Sequence, residues 1–150
     1  MEPLDRRDLL RAGALGAATA AGVIGPGVST LASATPRTRP PQRMTLKGNV
    51  VGIGSYLELP FPVPRGVQRI EVSLHQSNDQ AKLGVGLFDS HGSGYQSGGF
   101  RGVYGEERSA FFVSTSGASE SFMPGPMPAG TWTVLVPVFS TPAPTDVAVD

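Results

Sequence analysis

His75 and His91 are the two imidazoles of the chain, and with Asp79 and Asp89 they form the obvious starting set for a metal centre. A catalytic zinc needs about three protein ligands at roughly 2 Å from the ion. The spacing does not bring three of these groups together. His75 ends a strand-like run on its polar side, and His91 sits in a glycine-rich turn, so both are expected at the surface and no metal ligand is expected. Ser90, His91 and Asp89 hold the residue types of a nucleophilic triad, but adjacent residues rarely converge. No Gly-x-Ser-x-Gly elbow is present, and Gly92-Ser93-Gly94 does not fit that pattern. Glu106 and Glu107 are consecutive, and consecutive strand residues face opposite ways, so a solvated turn is expected. The run Gly92 to Gly102 lacks the Lys-Ser/Thr pair of a phosphate loop and has no helix behind it. Cysteine is absent, which removes thiolate catalysis and Cys-ligated metals. No catalytic residue and no cofactor is expected in this chain.

Phe100-Arg101-Gly102 is the one loop motif with binding character. A guanidinium can grip a carboxylate or stack on a ring, which makes Phe100 and Arg101 the candidate binding residues. The competing reading has Phe100 capping the core and Arg101 paired with Glu106, Glu107 or a backbone carbonyl. Trp132 alternates with Val134, Val136 and Val138, so it is expected in the core rather than as an exposed stacking platform.

These residues sit among short strands. Leu46 to Ile53 is a first strand weakened by Gly48 and Gly52. Tyr56, Leu57 and Leu59 lead into Pro60, Pro62 and Pro64, which impose an extended edge segment. Val67 to His75 has the cleanest alternation, with Ile70, Val72 and Leu74 on one side and Arg69, Glu71, Ser73 and His75 on the other, the mark of a sheet buried on one face. Leu83, Val85 and Leu87 alternate with Gly84, Gly86 and Phe88, and glycines on one face let a neighbouring ring pack close. Asp89 to Gly102 is expected to be loop. Ala110 to Ser114 and Thr131 to Phe139 are strands, separated by a rigid turn from Met123 to Gly130. Asp146 to Asp150 also alternates, so the sequence ends in a strand-like run and is expected to be a fragment or a truncated reading frame. Strand signals about every 8–12 residues, with 20 Gly and 14 Pro, predict an all-β antiparallel sandwich, jelly-roll or Ig-like, over residues 44–150.

Twelve basic and twelve acidic side chains balance, and no basic stripe is present to hold phosphate backbones, so nucleic acid is not an expected partner. Ahead of the sandwich the chain carries an export signal. Arg6-Arg7 with Leu9-Leu10 behind them, an Ala/Gly-rich apolar stretch from Ala12 to Ile24, and Ala32-Ser33-Ala34 as a small-residue cleavage site follow the layout of a bacterial signal peptide. The paired arginines resemble the twin-arginine type, with Sec-type use as the alternative. Glycines and Pro26 interrupt the apolar run, which makes a stable membrane span unexpected. Cleavage after Ala34 leaves residues 35–43 as a Pro/Arg-rich tether. The predicted destination is extracellular or the cell envelope.

Several segments occur here in a recognisable order: Arg65-Gly66-Val67 with Ile70-Glu71-Val72, Leu87-Phe88-Asp89 before a glycine-rich loop, Gly99-Phe100-Arg101-Gly102, Pro124-Gly125-Pro126, and Ala129-Gly130-Thr131-Trp132. Over roughly Tyr56 to Phe139 this resembles the N-terminal module of exported actinobacterial PHP-domain metallohydrolases of the CehA/McbA type, which are phosphoesterase-like. The resemblance implies an accessory module whose partner is a C-terminal hydrolase domain. Divalent metals belong to that domain, beginning at a His-x-His pair that this chain lacks. Val103-Tyr104 and Ser119-Glu120-Ser121-Phe122 depart from the family's usual runs. The alternative is a stand-alone secreted binding protein, with an envelope ligand as the other expected partner and the oligomeric state left open. A small enzyme built on the Asp89–Arg101 loop is a third class.

Overall fold

A computed structural model describes residues 40–94 and 96–150. The expected signal peptide, with Arg6, Arg7 and the cleavage residue Ala34, lies outside the described residues, as do residues 35–39 of the tether. Residues 40–43 are exposed and carry no strand.

The described residues form nine strands and no helix: β1 Leu46–Val50, β2 Tyr56–Val63, β3 Arg69–Gln76, β4 Lys82–Leu83, β5 Val85–Phe88, β6 Phe100–Tyr104, β7 Ala110–Ser114, β8 Gly130–Ser140 and β9 Thr145–Val149. They build two antiparallel sheets. One runs β1-β9-β3-β7; the other runs β2-β8-β5-β6, with β4 also on β8. Leu83 pairs with Val138 and Gly86 with Leu135, and the Gly84 N–H donates to the Pro137 carbonyl at 2.9 Å. β4, Gly84 and β5 therefore follow β8 as one continuous line, as the Leu83–Phe88 alternation predicts. Glycine is required at 84 because a Cβ there would lie 2.6 Å from the Tyr104 carbonyl and 3.1 Å from the Phe139 ring.

The two sheets face each other through their alternating apolar residues. β3 and β9 contribute Val72, Leu74, Val147 and Val149; β2 contributes Leu59, Phe61 and Val63; β8 contributes Trp132, Val134, Val136 and Val138, all buried. Period-two patterning decides this arrangement, since a one-residue slip would turn each set to water. Trp132 is 0 % exposed, so it is a core residue.

Each open side of the sandwich is handled differently. β2 is an edge strand carrying Pro60 and Pro62 opposite Thr133 and Thr131 of β8. Proline has no N–H to offer another chain, so the edge is blunted. At the other side, Phe122 fills the gap between β6 and β7. Its ring stacks on Phe111 with centroids 3.9 Å apart and meets Tyr104 edge-on at 5.0 Å.

Two boundaries differ from the sequence reading. β1 stops at Val50 instead of reaching Ile53, because Gly52 and Gly54 take positive φ, 81° and 73°, and turn the chain into β2. The segment Phe100–Gly102, expected as loop, opens β6. A register shift between Leu87 and Phe88 against β6, with Gly102 at φ 136°, breaks the alternation by which a strand is recognised.

Candidate functional site

β5 and β6 are joined by the long loop that begins at Asp89. Pairing of Phe88 with Phe100 brings Asp89, just past the end of β5, beside Arg101 near the start of β6. The Arg101 Nε–H donates to Asp89 Oδ2 at 2.8 Å, with only 9 % and 6 % of the two side chains exposed. The rest of the guanidinium is also occupied. Nη1 donates to the Met123 carbonyl at 3.4 Å, and Nη2 donates to the Pro126 carbonyl. Its carbon lies 5.4 Å from the centre of the Trp132 ring, and Trp132 Nε1 donates to the Pro128 carbonyl at 2.8 Å. Arg101 thus ties the β5–β6 loop to the segment preceding β8 and covers the end of the core.

Asp89 has a second partner. Its Oδ1 accepts from the His91 backbone N–H at 2.9 Å and from His91 Nδ1 at 2.7 Å. Burial pushes the Asp89 carboxyl upward, but the His91 backbone and ring bonds and the Arg101 charge outweigh it and hold the group below its ordinary value. A carboxylate that orients an imidazole through Nδ1 is also the orienting half of a hydrolytic triad. The nucleophilic half is missing: among the described residues no serine hydroxyl bonds to the His91 ring, and Ser97 Oγ donates instead to the Gly92 carbonyl at 2.6 Å. The cluster is a structural clamp with one exposed imidazole.

The remaining candidates lie apart. His75 points outward from β3 with Nε2 3.5 Å from Asp150 Oδ2, both largely exposed. Among the described residues, no three His, Cys, Asp or Glu side chains converge on a metal position. Glu106 pairs with Lys82 at 3.0 Å, and Glu107 is exposed in the β6–β7 turn. Arg101 pairs with neither of these glutamates. Its partner is Asp89, twelve residues earlier in the sequence, and backbone carbonyls take its remaining bonds. Phe100 does not cap the core. It is 45 % exposed and leans on Phe88 at 5.5 Å, so the two candidate binding residues point to opposite sides of the sheet.

Phe100 belongs to a surface that single-residue reasoning missed. The outer faces of the two sheets differ in character. On the β1-β9-β3-β7 sheet the outward side chains are mostly polar and several are paired: Asn49 with Asp146 at 2.8 Å, Arg69 with Glu71 at 2.7 Å, and the Arg69 guanidinium 3.8 Å above the outward Phe112 ring. On the β2-β8-β5-β6 sheet the outward positions hold Tyr56, Pro60 and Pro62; Thr133, Leu135, Pro137 and Phe139; Gly86 and Phe88; and Phe100 and Val103. Glu58 is the one charged side chain among the outward positions of those four strands. Tyr56 is 69 % and Phe139 51 % exposed. A depression of 390 Å³ follows β8 across this face, floored by Leu135 and Pro137 and flanked by Tyr56, Glu58, Phe88 and Phe139.

No protein-family model matches this chain, and a search of curated proteins finds none similar to it.

Proposed function

We propose that this chain is an exported, non-catalytic β-sandwich module that acts by binding, as the accessory domain of a PHP-type metal-dependent hydrolase. The observation that carries the binding reading is the contrast between the two outer faces. Soluble domains rarely leave large contiguous apolar patches uncovered, and such patches mark interaction sites. Here one sheet turns tyrosine, phenylalanine, leucine and proline to the outside, while the opposite sheet turns mostly polar side chains outward, several of them paired.

The finer fold reading supports the same conclusion. With β4 and β5 taken as one line there are eight strands, the last joining the first in one sheet and the penultimate joining the second in the other. That order favours a jelly roll over an Ig-like arrangement, an architecture found in lectin and capsid domains. Fold alone does not specify function, and the weight rests on the face. The hydrolase association rests on the ordered motifs from Arg65 to Trp132, and export rests on Arg6-Arg7 and the Ala34 cleavage site. The resemblance implies that the divalent metals of such a hydrolase would be held by the other domain; His75 and His91 lie in two separate contacts, with Asp150 and Asp89.

The test is co-sedimentation of the folded chain with isolated cell-envelope material and with a PHP hydrolase domain added in trans. Binding to either is expected, and Tyr56→Ser with Phe139→Ser should abolish it while leaving the melting temperature within about 2–3 °C, since exposed positions contribute little to stability. Retention of binding in the double variant refutes the face as the site. Turnover of phosphate esters by the chain alone refutes the non-catalytic reading.

A further inference from the structure

We infer that the depression on the β2-β8-β5-β6 face binds an extended, proline-rich peptide segment of a partner protein that carries a basic side chain, seated so that its arginine or lysine meets Glu58. The inference rests on the binding reading above and adds the ligand.

Three features of the face select this chemistry. The first is length. Phe88 pairs with Thr133, and Phe139 lies six residues further along β8. At about 3.3 Å per residue the aromatic groups at the two ends are about 20 Å apart. A polyproline helix rises about 3.1 Å per residue, so six or seven residues span the distance in two turns.

The second feature is the lining. Proline-rich segments dock into aromatic-lined grooves because their rings lie flat on aromatic faces and the chain is already extended before binding. Tyr56 and Phe139 at one end and Phe88 at the other provide those faces. The surface is the flat of the sheet, not an edge, so a partner is not recognised by adding a strand.

The third is charge. Glu58 pairs with Leu135 across the β2–β8 ladder, inside the depression and between the aromatic ends. Among the described residues it makes no ion pair, whereas Lys82, also on this sheet, is held by Glu106 at 3.0 Å. An apolar partner would bury this carboxylate without compensation. A second copy placed face to face about a two-fold axis would bring two such carboxylates together. A basic side chain between aromatic rings gains from both the carboxylate and the ring faces.

The experiment is fluorescence anisotropy of the full chain with a labelled nine-residue probe of three Pro-Pro-Arg units, alongside a neutral probe with glutamine at each arginine, and with cello- and chito-oligosaccharides as competitors. The expected result is binding of the basic probe that weakens as salt rises and falls about tenfold in Glu58→Gln, with the neutral probe bound equally by parent and variant. Phe139→Ser should weaken both probes. Circular dichroism and thermal unfolding of each variant separate lost binding from lost fold. If the oligosaccharides bind and the basic probe does not, the peptide inference is overturned while the binding face stands. If no probe binds yet Tyr56→Ser/Phe139→Ser still abolishes envelope sedimentation, the ligand class is likewise overturned and the face survives. If that double variant changes nothing, both fail.

Discussion

Replacing Arg101 with methionine keeps most of the side-chain volume and removes the charge. The structure specifies what is left behind. Asp89, with 6 % of its side chain exposed, loses the Arg101 Nε–H bond and the arginine charge beside it. The Met123 and Pro126 carbonyls lose their guanidinium donors. Breaking a buried ion pair by removing one partner costs about 3–5 kcal/mol, and a domain of this size holds about 5–15 kcal/mol in all. Arg101→Met should therefore leave the protein marginal at 25 °C, measured as the shift of the urea midpoint at constant m-value. Asp89→Asn/Arg101→Met removes both charges, and its cost should fall short of the sum of the single costs by about 2–3 kcal/mol. The pH dependence has a definite sign. The Asp89 carboxyl is held below its ordinary value in the folded protein, so its contribution is fully present above the unfolded value of about 3.9 and is lost as pH falls through the lower folded value. The stability gap between parent and Asp89→Asn should be constant above about pH 5 and close below about pH 4. A cost under about 1 kcal/mol for Arg101→Met, or strict additivity in the cycle, would refute the clamp: it would mean that water reaches the pair.

Three further outcomes follow from the geometry. Trp132→Ala should cost about 3–5 kcal/mol, read by thermal unfolding, and the parent's tryptophan emission should be blue-shifted and poorly quenched by iodide, whereas red-shifted emission would place the ring in water. Gly102→Ala should destabilise by about 1–3 kcal/mol or more, because the added Cβ would lie 2.3 Å from the Ser121 carbonyl oxygen and 2.7 Å from the Phe122 Cα; a neutral effect in urea unfolding would show that the Phe122 segment can retreat. Replacing Arg6 and Arg7 with lysine keeps the charge and should stop twin-arginine export, scored by secreted protein in cell fractions, while export at the parent rate assigns the signal to Sec.

Where apolar residues recur every second position, the sequence showed the fold. β3, β7, β8 and the joined β4–β5 line all carry that period; β3, β7 and β8 lie with one face buried, and the glycines of the β4–β5 line are covered as well. β6 was not legible because its inward positions hold Arg101 and Gly102 instead of aliphatic residues, and a bulge shifts its register. A buried arginine mimics a loop residue in sequence, since Arg is almost never buried unless paired. The pairing itself had one available signal: an acid directly after β5 and an arginine near the start of the following strand become neighbours once the two strands form a hairpin. That inference needs β6 to be known first, so the missing strand hid the missing partner.

The outer face was hidden for a different reason. Attention to which residues of a strand share the core leaves their alternates unread. In β3 the alternates of Val72 and Leu74 are Glu71, Ser73 and His75, which water accounts for. In β8 the alternates of Val134, Val136 and Val138 are Leu135, Pro137 and Phe139, which water does not. A strand apolar on both faces is ordinarily covered on both, and β8 is uncovered on one. The division has a testable energetic consequence. Side chains that point inward from β8 stabilise the sandwich, while Tyr56, Glu58 and Phe139 are exposed on the opposite face, so substitutions on the two faces should combine additively in stability. Trp132→Phe with Phe139→Ser should cost no more in urea unfolding than Trp132→Phe alone, within about 0.5 kcal/mol, while only Phe139→Ser changes binding. A large coupling between them would mean that Phe139 holds the sheet together through its contact over Gly84, and that the exposed face serves the fold rather than a partner.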